Sequence, residues 1–75
     1  MKIKNLPKIT NVDSIRVYRN RKLVAEKWIG GCYSILWYFQ EEPQLKVFLE
    51  CEIEQMIMDI VADRDEYIAC NIYLK

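Results

Sequence analysis

The alternation of apolar and polar positions divides this chain into strand-like and helix-like segments. Around residues 14–19, Ile15 and Val17 alternate with Arg16 and Tyr18, the period-two pattern of a half-buried strand. Asn20-Arg21 suits a two-residue turn, because asparagine tolerates positive φ, and residues 22–29 continue as a second strand. Gly30-Gly31 between two strand-like runs is a hairpin signal, which predicts a third strand over residues 32–40. In that register Val17 faces Val24 and Val24 faces Trp37, while Ile15 faces Glu26 and Glu26 faces Ile35. One sheet face then gathers Ile15, Val17, Val24, Trp28, Tyr33, Ile35, Trp37 and Phe39. Glu26 is its one misfit away from the hairpin ends. The opposite face gathers Arg16, Tyr18, Leu23, Lys27, Leu36 and Tyr38, with Ile29 at its border.

Glu41-Glu42-Pro43 breaks this pattern, and a proline flanked by acids suits a first helical turn. Residues 44–62 are mainly helix formers, with Leu45, Leu49, Ile53, Met56, Ile57 and Ile60 on one stripe. After the polar connection Asp63-Arg64-Asp65-Glu66, residues 67–74 alternate again. Ile68, Cys70, Ile72 and Leu74 stand against Tyr67, Ala69, Asn71 and Tyr73. The expectation is an α+β domain in the order β-β-β-α-β, a four-stranded, mostly antiparallel sheet with one helix on its apolar face. The alternative order, β-β-α-β-β, makes Cys32 to about Leu49 helical and turns residues 52–62 into a strand hairpinned to the last one. Met56, Met58, Ile60 and Ala62 do alternate. Residues 1–12, interrupted by Pro7, read as an arm against the domain formed by residues 13–75.

Seventy-five residues make one small domain, which hides only ~60% of the surface its unfolded chain exposes. A core of that size favours oligomerisation as a source of stability. The eleven basic and eleven acidic residues cancel, but they are segregated. Residues 1–30 hold eight basic against two acidic residues, a balance of +6, and residues 41–75 hold three against nine, a balance of −6. Such asymmetry points to a charged partner or to two halves that neutralise each other. Three cysteines with no CxxC pair fit a reduced, cytoplasmic compartment, and the apolar run is too short to span a membrane.

Catalytic chemistry is poorly supplied. Without a histidine there is no Ser-His or Cys-His nucleophile pair, and a small cysteine within a sheet is far more often packing than nucleophile. The acids at 63, 65 and 66 lack the glycine and spacing of a calcium loop, and a zinc site would lack histidine and paired cysteines. Gly30-Gly31 has no phosphate-loop spacing. The reading is therefore non-enzymatic, with no cofactor, metal or small-molecule substrate. Tyr18, Leu23, Ile29, Leu36 and Tyr38 would form an apolar patch on the outer sheet face, flanked by arginine and lysine. Patches of that composition mark protein interfaces, so the chain is expected to bind a protein partner or itself. The alternative is a nucleic-acid-binding module using Arg16, Arg19, Arg21, Lys22 and Lys27 of the first hairpin, with tyrosines for stacking. A neutral total charge weighs against it.

Overall fold

The computed structural model describes residues 1–62 and 64–75. Its strands are β1 (Ser14–Arg19), β2 (Lys22–Trp28), β3 (Ile53–Ala62) and β4 (Glu66–Leu74), and its helices are α1 (Ile35–Glu41) and α2 (Pro43–Lys46). The sheet runs β2-β1-β4-β3. Each hairpin is antiparallel, and the two hairpins join through a parallel pairing of β1 with β4. The fold is thus α+β with a mixed sheet, in the order β-β-α-β-β.

The first hairpin forms where the sequence places it. Asn20 and Arg21 adopt φ of 53° and 64°, the double left-handed turn that matches the twist of the flanking strands. Its register, however, slips by one residue. Tyr18 pairs with Leu23 but Val17 pairs with Ala25, so Val24 is an extra residue in the strand. This β-bulge corrects the expected register and removes its misfit, because Glu26 now lies opposite Arg16 and not Ile15.

The expected third strand is a helix. Gly30 and Gly31 have φ of 66° and 76°, but they end the sheet instead of turning a hairpin. A Cβ on Gly31 would lie 3.7 Å from the Asn11 Cα and the Val12 carbonyl oxygen, and the amide of Ile29 reaches the Asp13 carbonyl at 2.7 Å. Ser34 then caps α1, its Oγ accepting from the Trp37 amide at 3.2 Å. Ile35, Tyr38 and Phe39, three and four apart, turn one helical face into the core. Pro43 has no amide to continue the helix and holds Glu42 extended (φ −88°, ψ 119°), so the chain kinks and restarts as α2. The long helix expected over 44–62 stops at Lys46, because residues 53–62 pair along β4. An apolar set that satisfies both periods goes to the element offering a ladder.

The helices and the N-terminal residues cover one face of the sheet. Ile15 and Val17 of β1 and Cys70, Ile72 and Leu74 of β4 meet Ile35, Tyr38, Phe39, Leu45 and Phe48 in a single buried cluster. Ile3, Leu6 and Val12 join it. Residues 1–12 are held there by the Ile3 and Lys4 amides, which donate to the carbonyls of Cys51 (3.0 Å) and Leu49 (2.9 Å). Lys2 and Lys4 pair with Glu50 at 3.3 and 3.0 Å, and Lys27 lies 3.7 Å from Glu42. The basic and acidic halves therefore meet each other at these contacts.

Candidate functional site on the outer sheet face

No described element covers the other face of the sheet. Strand alternation decides what it carries, since Arg16 and Tyr18 of β1 stand in register with Asn71 and Tyr73 of β4. Asn71 in turn lies beside Ile57 of β3, and the bulge delivers Glu26 and Trp28 from β2. The result is an aromatic surface in two groups. Tyr18 and Tyr73 stack with centroids 4.8 Å apart and planes inclined by 14°. Trp28 meets Tyr67 edge-on at 5.1 Å and 69°, yet remains 60% exposed.

Arg16 lies between these groups and is fixed twice. Its Nε donates to Glu26 at 2.8 Å, and a terminal nitrogen donates to the Tyr67 hydroxyl at 2.8 Å. The hydrogen bond to Glu26, above all, holds the guanidinium above its ordinary pKa. Two fixed bonds pre-organise Arg16 on this face, so it has little side-chain freedom left to lose on docking. Beneath it Ala69 and Asn71 are buried, and the Asn71 Oδ1 has no hydrogen-bond partner among the described residues. At the end nearest the Asn20-Arg21 turn, the face opens into a cleft of about 580 Å³. Tyr18 and Tyr73 contribute to its lining with Arg21, Glu54, Gln55 and Lys75. The surface offers π faces, apolar area and mixed charge.

Only part of the expected interface lies here. Tyr18 and Leu23 are on the outer face, with Leu23 exposed. Ile29, Leu36 and Tyr38 are not, because the segment that holds them leaves the sheet. Ile29 and Tyr38 are buried, joined by a 2.8 Å bond from the Tyr38 hydroxyl to the Ile29 carbonyl, and Leu36 packs against the core from α1. Burial pushes the Tyr38 phenol above its ordinary pKa. The basic set also disperses. Arg16 is engaged on the outer face, whereas Arg19 donates to the Cys51 sulfur at 3.2 Å and lies over Phe48, on the helical side. Lys27 turns toward Glu42, which leaves Arg21 and Lys22 exposed at the turn.

Trp28, Tyr67, Tyr73 and Ile57 are the surface residues that sequence reasoning did not assign to the site. The alternation of residues 67–74 did put both tyrosines opposite the apolar side of that strand. What it lacked was the position of β4 beside β1, which brings them to Tyr18 and Arg16.

Among the described residues, no group of three or more acids and cysteines is arranged to hold a metal ion, and no helix is long and apolar enough to cross a membrane. Compared with family models, curated proteins and solved structures, the chain gives no match.

Proposed function

We propose that this chain is a small non-enzymatic interaction module, working inside the cell in the cytoplasm, that binds a protein partner or a second copy of itself through the outer sheet face. The observation that carries the reading is the uncovered sheet face on which exposed Trp28 and half-buried Tyr67, Tyr18 and Tyr73 surround a doubly anchored Arg16. Exposed aromatic side chains and arginine are the residues that dominate interface energetics, and rigid ones lose the least entropy on binding. The neighbouring cleft would accept a side chain of the partner. Nucleic-acid binding has less support, because the five cations assigned to it point to different sides of the sheet and three of them already have partners.

The test is site-specific photo-crosslinking in cells that produce the chain, with the probe at Leu23 or Ile57 on the outer face, and at Gln40 of α1 as control. The expected result is one discrete protein adduct from the outer-face positions, absent from Gln40 and lost in a Trp28→Ala background. No adduct, or equal adducts from all three positions, would overturn the proposal. Adducts removed by nuclease would favour the nucleic-acid reading instead.

A further inference from the structure

The two edges of this sheet are built differently. On one side, β2 carries the bulge at Val24 together with the charges of Lys22, Glu26 and Lys27, devices that keep an edge from pairing with another chain. On the other side β3 has ten residues, IEQMIMDIVA; among the described strands it pairs only with β4, and its one register shift, between Ile53 and Gln55, lies at its base. Its free edge is occupied only at the base, where Lys2 bridges Glu52 and the Ile53 amide donates to the Met1 carbonyl at 2.8 Å. Residues 54–62 present a row of backbone donors and acceptors to no described neighbour. Met56, Met58 and Ile60 make the helical side of this row apolar, and Ile57 and Val61 alternate with Gln55 and Asp59 on the outer side. Ile60 is 70% exposed, Met58 43% and Ile57 40%. The helical layer does not reach them, and Ile68 of β4 beside Ile60 is exposed as well.

We infer that β3 pairs edge to edge with β3 of a second copy, antiparallel about Met58, making one continuous eight-stranded sheet. The occupant follows from the self-complementarity of the strand. A two-fold axis at Met58 sets Met58 against Met58 of the second copy and Met56 against Ile60, so large apolar side chains lie together on the helical side. On the outer side Asp59 falls opposite Ile57 and Gln55 opposite Val61, so the acid meets no like charge. Because the axis stands perpendicular to the sheet, the two helical layers lie on the same side. The exposed strip of Met58, Ile60 and Ile68 from each copy then fills the gap between them. The pairing uses a different surface from the aromatic face and stands or falls without it.

Sedimentation of the whole chain across the micromolar range tests the pairing, with Ile60→Lys, Met58→Lys and Trp28→Ala as variants. The expected result is twice the chain mass for the wild type and for Trp28→Ala, and the single chain mass for both lysine variants, with unchanged far-ultraviolet circular dichroism. A wild type that stays at the single chain mass throughout overturns the inference. So does a dimer that survives both lysine substitutions but dissociates in Trp28→Ala, which would place self-association on the outer face. The register has its own readout, which does not depend on the lysine variants folding. In a Cys32→Ser background, Met58→Cys should form a disulfide-linked dimer on mild oxidation, whereas Leu23→Cys should not. Cross-linking through Leu23→Cys alone would also overturn it.

Discussion

Arg16 and Glu26 face each other across the first hairpin, Nε to carboxylate oxygen 2.8 Å, because the strand carrying Glu26 has one residue more than a regular ladder needs. Without the bulge at Val24 the carboxylate would stand opposite Ile15, on the buried side. With it, a charge that would be costly in the core organises the outer surface. The Arg16 and Glu26 side chains are 23% and 49% exposed, so solvent screening limits what the pair contributes. Glu26→Gln is expected to destabilise the domain by about 0.5–1 kcal/mol at low salt and by less at high salt. Urea denaturation at the two ionic strengths measures the difference.

The turn of the same hairpin carries removable strain. Arg21 sits at φ 64°, a conformation that costs a residue with a Cβ roughly 1–2 kcal/mol and costs glycine nothing. Part of that gain is lost to the greater freedom of glycine in the unfolded chain. Arg21→Gly should therefore stabilise the domain by about 0.5–1 kcal/mol, read as a higher urea midpoint with an unchanged slope. The outer aromatic groups should be unaffected.

Tyr38 joins α1 to the end of the sheet through its 2.8 Å bond to the Ile29 carbonyl, with both residues buried. Tyr38→Phe keeps the ring contacts with Tyr33 and Trp37 but leaves that carbonyl without its hydroxyl partner. The expected cost is about 1–2 kcal/mol in equilibrium unfolding. The phenol of the native protein should ionise only above its ordinary pKa of 10.0, because burial disfavours the phenolate. An ultraviolet pH titration of wild type against Tyr38→Phe isolates that transition.

Glu50 is tied to Lys4 and Lys2, and these hydrogen bonds hold its carboxyl below the ordinary value of 4.5. A carboxylate whose pKa is depressed by folding stabilises the folded state above its unfolded pKa. That contribution fades as the pH falls through the folded value. Carbon-detected NMR should find the Glu50 midpoint below 4.5, and Lys4→Met should raise it back toward that value. Because Glu50 is exposed, the effect belongs to the titration and hardly to the melting temperature.

The legible and illegible parts of this fold divide along physical lines. The first strand, its turn and the last strand were readable because alternation and an asparagine turn leave one interpretation. The segment from Gly30 to Phe39 was not, since it is apolar at almost every position and so satisfies a strand and a helix alike. Its decisive marks are local, in Ser34 as a cap and Ile35, Tyr38 and Phe39 at helical spacing. Residues 53–62 had the same double periodicity, and antiparallel pairing with β4, the next strand in the chain, decides for the strand. The bulge at Val24 left a trace as the misplaced Glu26. The outer site was half legible for the same reason. Tyr18, Leu23 and Arg16 follow from local alternation, whereas Trp28, Tyr67 and Tyr73 reach them only through the bulge and the β1–β4 pairing.

That parallel pairing also governs how the molecule comes into being. The inner strands of the sheet, β1 and β4, are joined in register from Ser14–Ala69 to Arg19–Leu74, so the contacts that bury Ile15 and Val17 bridge most of the chain. During synthesis the first hairpin emerges early, but β1 lacks its second neighbour in the sheet until β4 has been made. Folding must therefore wait for nearly the whole chain, and closing so long a loop first makes it slow, on the order of milliseconds to seconds. Until then the nascent protein carries β1 with one ladder unpaired, which is the interval in which it is most exposed to aggregation and to chaperones.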